Sequence, residues 1–216
     1  MSAPLSPSAW AFADEWVSEN EALRQARDRS AELGLDALGA AAASTLMLLT
    51  SAISAQAVIE VGTGAGISGA AILSGMTKGG VLTTIDVEAE HQRAAKETFT
   101  EAGFSPSRSR MIVGRALDVL PRMSDAAYDM VVVDGDRAEY PAIVAQAKRL
   151  LRIGGLVVLI GMLDEQGIAD PAHRDVETLA LRDAASELEH DDDWLPAMIT
   201  AGPGMLVAQL VERPEE

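Results

Sequence analysis

The sequence predicts an α/β fold: a mostly parallel sheet with helices on both faces, an antiparallel C-terminal hairpin and an N-terminal helical cap. Three observations carry this. Short β-rich runs alternate with longer amphipathic ones from residue 57 onward, a glycine loop joins the first run to a helix, and two strand-like runs close the chain around Ala201-Gly202-Pro203-Gly204.

The elements follow in order. Ala11 to about Leu33 is rich in Ala, Glu, Arg and Leu without Pro, and Gly34 stands where a helix-ending glycine is expected, so this reads as one helix. A second is expected from about Asp36 to Ile53. Strands are expected at Ala57–Val61, Val81–Ile85, Arg110–Val113, Tyr128–Val133 and Leu156–Ile160, with helices between them, and at Trp194–Thr200 and Met205–Val211. No repeat or composition break divides the chain. A single domain over 1–216 is expected, with residues 1–54 as the cap and 55–216 as the α/β core.

Composition narrows the function. A chain of 216 residues that is 48% hydrophobic can bury a substantial core. Lys and Arg number 17 against 33 Asp and Glu, and the net charge of −16 repels phosphate backbones, so nucleic acid is a poor partner. With no cysteine, thiolate nucleophiles and Cys-ligated metals are excluded. The opening residues lack the basic-then-apolar plan of a secretory signal, and no apolar run reaches the ~20 residues that span a bilayer. A soluble cytoplasmic protein without membrane contact is expected.

The most informative stretch is Val58-Ile59-Glu60-Val61-Gly62-Thr63-Gly64-Ala65-Gly66-Ile67-Ser68, a buried strand entering a helix through three alternate glycines. Glycine lets the backbone approach a ligand closely, and a helix start offers N–H groups and a positive dipole end to an anion. A nucleotide-like ligand is implied, although such turns also arise for structural reasons. Asp86 ends the next strand about 24 residues after Gly62, where an acid accepts bonds from both ribose hydroxyls. It is equally placed to cap the following helix.

Two cofactor types share this geometry. Gly64, Gly66 and Gly69 spell G-x-G-x-x-G, but a dinucleotide fingerprint begins at the strand end, and starting at Gly62 puts Ile67 where the third glycine belongs. Glu60 instead suits a cofactor with a cationic amino-acid tail. S-adenosylmethionine (SAM) has one, with an ammonium and a sulfonium to attract acids and a carboxylate for the helix N-terminus and Ser68.

These motifs, with Leu82-Thr-Thr-Ile-Asp86, Gly114-Arg-Ala-Leu-Asp118, Tyr128-Asp-Met-Val-Val-Val-Asp-Gly-Asp136 and Leu150-Leu-Arg-Ile-Gly-Gly-Leu156, resemble in order and spacing the class I methyltransferases of the catechol and caffeoyl-CoA O-methyltransferase type, most nearly their actinobacterial group. The resemblance runs from about Leu38 to the C-terminus. It implies a Rossmann-like sheet of seven strands with the last antiparallel, SAM as cofactor, O-methylation of a small-molecule acceptor, and a homodimer. It further implies that Glu60, Gly62, Thr63 and Ser68 hold the methionine end, with Gly64 and Gly66 also in the cofactor site, Asp86 and Val87 at the ribose and adenine edge, and Arg115 and Ala116 at the adenine. Leu38 would close over the cofactor, and Asp134 and Asp136 would face the active centre.

Two departures from that family pattern bear on the chemistry. The resemblance implies that Asp134 joins an Asp-Asn pair to hold Mg²⁺ or Ca²⁺, which lowers a phenol pKa. Here Ile160 and Gly161 stand in place of the pair, and neither offers a side-chain oxygen where Mg²⁺ wants about six. A weak divalent-metal site or none is expected; Asp164 and Glu165 follow nearby but read as an exposed loop. The family's lysine beside the metal acid is here Arg137, which stays protonated and can anchor or stabilise an acidic acceptor but cannot act as a base.

Asp134 and Asp136 remain candidates for a base, since neighbouring carboxylates can raise one another's pKa. His91 and His190 are expected on solvated helix faces, with His173 nearer the substrate mouth. Met162 to Ile168 and the N-terminal helices are expected to wall the acceptor pocket. The rival readings are a non-catalytic SAM- or S-adenosylhomocysteine-binding protein on the same fold and a dinucleotide-dependent oxidoreductase.

Overall fold

The computed structural model describes residues 6–163 and 168–212. A seven-stranded sheet is built from β1 (Ala57–Val61), β2 (Val81–Asp86), β3 (Ser109–Val113), β4 (Tyr128–Val133), β5 (Leu151–Ile160), β6 (Trp194–Ile199) and β7 (Met205–Leu210), in the order β3-β2-β1-β4-β5-β7-β6. The pairs among β1 to β5 are parallel, and β7 runs antiparallel to both β5 and β6. The expected sheet and its hairpin edge are thus observed.

Side-chain alternation along the central strands makes two cores. Val58, Met130, Val132, Val158 and Ile160 face α3 (Ala40–Ala52), α4 (Ile67–Gly75) and α5 (Ala89–Glu101), joining Leu46, Ile72 and Phe99. Ile59, Val61, Val131, Val133, Val157 and Leu159 face the other way, toward α6 (Ala116–Val119), α7 (Tyr140–Leu150) and α8 (Val176–His190). Glu60 falls in the first set by register, so its carboxyl is aimed into protein. Arg108 steadies the first layer, its guanidinium donating to the carbonyls of Gly80, Leu73 and Thr77 around the end of α4.

The cap differs from expectation. The single helix expected over 11–33 is two, α1 (Pro7–Glu15) and α2 (Glu21–Glu32), because Asn20 starts a new helix by accepting from Leu23 N at 3.0 Å. The next helix begins at Ala40 rather than Asp36. Gly39 caps α3 without a side chain, and Asp14 of α1 supplies the missing acceptor to Ala41 N at 3.4 Å. Residues 35–39 are therefore an open strap beside the carboxyl ends of the strands. β5 begins at Leu151, earlier than expected, but its pairing with β4 is broken between Leu151 and Leu156.

No helix of the described residues is long and apolar enough to cross a membrane. The first core is tested by paired variants in α3. Leu46→Ala, at a fully buried site, is expected to cost about 2–5 kcal/mol, while Leu48→Ala, 68% exposed, stays within about 0.5 kcal/mol by urea denaturation.

Candidate active site

The glycine loop takes its shape from two close approaches. Gly62 has φ +90°, and a Cβ there would lie 2.0 Å from the Asp134 carbonyl oxygen, so only glycine lets the ends of β1 and β4 meet. Gly66, at φ +88°, abuts the backbone of Ala95 in α5, where a Cβ would come within 2.8 Å. Both glycines make room for protein rather than for a ligand.

Asp86 then fixes the loop. Its Oδ2 accepts from the amides of Thr63 at 2.8 Å and Gly64 at 3.2 Å, and its Oδ1 accepts from Glu88 N at 2.9 Å. His91 Nδ1 lies 3.1 Å from the same Oδ1. One carboxylate thus ties the loop to the residue before α5; the N-cap of that helix is Glu88, with no side-chain cap bond, rather than Asp86 as the sequence suggests. His91 is a correction: it is half-buried, not solvated, because the first turn of α5 folds it back onto the strand end.

Beneath the loop runs a directed chain of hydrogen bonds. Gln92 Nε2 donates to Thr63 Oγ1 at 2.8 Å, Thr63 to Thr84 Oγ1 at 2.6 Å, and Thr84 to Glu60 Oε2 at 2.6 Å. Glu60 is fully buried and its Oε1 has no partner. Burial pushes its pKa up to about 7, against the opposing bond from the Thr84 hydroxyl.

Above the loop opens a cavity of about 500 Å³ at the carboxyl ends of β1, β2 and β4, where the sheet order reverses. At one end Gly62, Thr63, Gly64 and Ser68 form its wall, with α4 starting beside them without a side-chain cap. At the other, Asp86, Val87, Arg115 and Ala116 line it, and Leu38 of the strap closes one side. Asp134 and Asp136 complete the rim. Glu60 and Gly66 lie behind this wall rather than in it, and Arg137 stands beside it.

Other lining residues escaped the sequence reading. Asp36 comes from the strap, and Glu139 accepts from Arg115 Nη2 at 2.5 Å, bridging the mouth. The signal for His91 and Glu139 was spatial, since each is placed by a partner distant from any motif.

Asp134 opens onto the cavity, yet the protein packed around its carboxyl raises its pKa to about 6, with Arg137 opposing. Burial, not Asp136, causes this rise; Asp136 is occupied in accepting from Ala138 N at 3.0 Å. At Gly161, φ +80°, a Cβ would sit 3.0 Å from Arg137 Nη2. The guanidinium therefore fills the space into which a side chain at 161 would project, while Ile160 is buried in the first core. Among the described residues no group of three or more His, Cys, Asp or Glu is placed to hold a metal ion.

On the acceptor side, Met162 is fully buried in the second core instead of forming a pocket wall. Asp164 and Glu165 lie outside the described residues. His173 is not among the lining residues; its carbonyl, with those of Ile168 and Asp170, accepts from Arg182. His190 is exposed at the end of α8, as expected.

A parallel sheet with this switch-point cavity, glycine loop, strand-end acid and antiparallel last hairpin defines a class I SAM-dependent methyltransferase. The chain belongs to the O-methyltransferase family, whose profile matches residues 14–211. It is 45% identical over 201 residues to a probable O-methyltransferase of Mycobacterium tuberculosis, spanning 93% of this chain and 90% of that one. A Corynebacterium glutamicum protein superposes with a TM-score of 0.87 at 33% identity, covering 97% of this chain and 99% of that one. The Streptomyces achromogenes O-methyltransferase TomG, involved in tomaymycin synthesis and solved with SAM, superposes at 0.86 with 27% identity, covering 97% and 100%.

The buried acid gives a pH test. Because the folded pKa of Glu60, about 7, exceeds the ordinary 4.5, its contribution to stability is intact below about pH 4.5 and is lost as pH rises through 7. At about 1.4 kcal/mol per pH unit the loss approaches roughly 3 kcal/mol. Glu60→Gln is expected to gain stability relative to the parent between pH 5 and 8, as read by denaturation at each pH. A pH-independent difference would refute the buried-acid assignment.

Proposed function

We propose that this chain methylates an oxygen of a small, acidic acceptor using SAM, without a divalent ion in the catechol-type position. The observation that carries this reading is the contact between Arg137 and Gly161, which puts a fixed cation where the resemblance implies a metal ligand.

The cavity suits the cofactor in size and donor set. Its volume lies within the roughly 300–1,000 Å³ of small-molecule sites. Ser68 and the start of α4 would hold the carboxylate, Asp86 the ribose hydroxyls, and Val87, Arg115 and Ala116 the adenine; Glu60 acts from behind, through Thr84 and Thr63. When bound, the cofactor supplies an electrophilic methyl group on its sulfonium.

The protein's own contribution is position and charge. Arg137 would orient an acceptor carboxylate or phenolate and stabilise its negative charge, the role expected of a guanidinium that stays protonated. Asp134, at the end of β4 on the cavity rim, is placed to take the proton of a hydroxyl acceptor at its carboxylate oxygen. The strap and the Arg115–Glu139 bridge would exclude water, and holding the acceptor in line supplies much of the rate. A divalent ion does not suit the described residues, because Ile160 and Gly161 offer no side-chain oxygen and no three acids or histidines converge around Asp134.

A homodimer and a cytoplasmic location complete the proposal. Trp10, Phe12 and Trp16 of α1 and its flank are exposed apolar side chains that support self-association. Light scattering on the purified protein checks it, a dimer mass being expected.

Calorimetric titration with S-adenosylhomocysteine is expected to give the same affinity in EDTA and in excess Mg²⁺. Asp86→Ala is expected to weaken it by about 10- to 100-fold, as the loop clamp and ribose acceptor are lost together. Arg137→Ala should leave that affinity unchanged while lowering turnover of acidic acceptors. Cofactor binding without turnover of any acceptor would favour the non-catalytic reading, and displacement by NAD the oxidoreductase one.

A further inference from the structure

A second cavity, also of about 500 Å³, lies behind the glycine loop between α5 and the edge strand β3. Its apolar surface comes from Phe99, Phe104, Met111 and Val113, and its rim carries Arg93 and Lys96, one turn apart on α5. Both cations are exposed, and among the described residues neither charged group makes an ion pair or hydrogen bond. None of the lining residues is acidic, in a chain with 33 Asp and Glu. Arg27, Arg29, Arg115 and Lys148, by contrast, all pair with carboxylates.

The inner wall of this cavity contains Gln92, only 6% exposed. Its Nε2 is bonded to Thr63, Thr84 and Ile112, while its Oε1 is buried with no partner. Gln92 joins this wall to the cofactor loop through Thr63, while its Oε1 stays inside the protein. An apolar groove rimmed by two cations and no lining acid complements an amphipathic anion in shape and charge.

We propose that this cavity binds a small amphipathic anion, an aromatic carboxylate whose acid group sits between Arg93 and Lys96 and whose ring lies over Phe99 and Met111. The site shares its wall with the cofactor loop. Gln92 holds the Thr63 hydroxyl, and the Phe99 ring presses on Gly66 and Gly69, where added Cβ atoms would come within 3.1 and 2.6 Å. Occupancy would therefore act on the loop from behind. The site itself stands without the SAM reading; only this linkage rests on it.

The test uses the whole chain and the fluorescent probe anilinonaphthalenesulfonate, with naphthoate as competitor. One saturable site is expected, displaced by naphthoate but not by saturating S-adenosylhomocysteine. Affinity should fall by about tenfold or more in Arg93→Gln/Lys96→Gln, whose substitutions are on the surface and leave thermal unfolding unchanged. Unchanged affinity in that variant would overturn the proposal, as would competition by neutral naphthyl methanol equal to that of naphthoate. Fully competitive displacement of the probe by S-adenosylhomocysteine would overturn it too, placing the probe in the cofactor cavity, whereas the linkage changes probe affinity only to a limiting value. Competition by hexaglutamate but not by naphthoate would replace the proposal with an acidic peptide docked along β3. Failure of S-adenosylhomocysteine to bind at all would count against the methyltransferase reading alone, since the charge dependence of probe binding is measured without it.

Discussion

The Asp86 carboxylate is the point on which the site depends. It joins three pieces of backbone, the glycine loop at Thr63 and Gly64, the end of β2, and Glu88 immediately before α5. Each is a connection that would otherwise leave amides without acceptors. Because the same group faces the cavity, the geometry of the ligand wall and the folding of the loop are one problem. The close contact of Gly62 with Asp134 does the same for β1 and β4, so the walls of the cavity are held by strand ends that cannot separate independently.

Much of the fold was legible because its strands are buried on both faces and its glycines mark turns. Runs such as Met130 to Val133 read as strand from composition alone, and the hairpin announced itself at Gly202-Pro203-Gly204. The cap was less legible. Asn20 inside an Ala- and Glu-rich run is a weak break signal, and the capping of α3 by Asp14 joins residues far apart in sequence, which no local pattern reveals.

The site was legible where the chain itself forms a motif and opaque where partners meet in space. Gly62, Ser68 and Asp86 sit on one strand-loop-helix unit and its neighbour, so their shared cavity followed from spacing. His91 and Glu139 enter it only because Asp86 and Arg115 draw them in. Glu60 shows the opposite effect: its place at the strand end suggested a ligand contact, but the period of two turns its side chain into the first core. In the sequence Arg137 and Gly161 are two unrelated departures from a family pattern, and only the fold shows that one occupies the space left by the other.

The hydrogen-bond chain from Gln92 through Thr63 and Thr84 to Glu60 has one direction of donation, and this restricts which side chains can replace its members. Each threonine must accept on one side and donate on the other through a single hydroxyl, so serine could keep the pattern and valine, nearly identical in shape, could not. The apolar neighbours Val58 and Val132 carry no such requirement and can exchange for other aliphatic residues with small adjustments. Within one layer of the core, then, mutational freedom should divide by polarity of role rather than by burial or size.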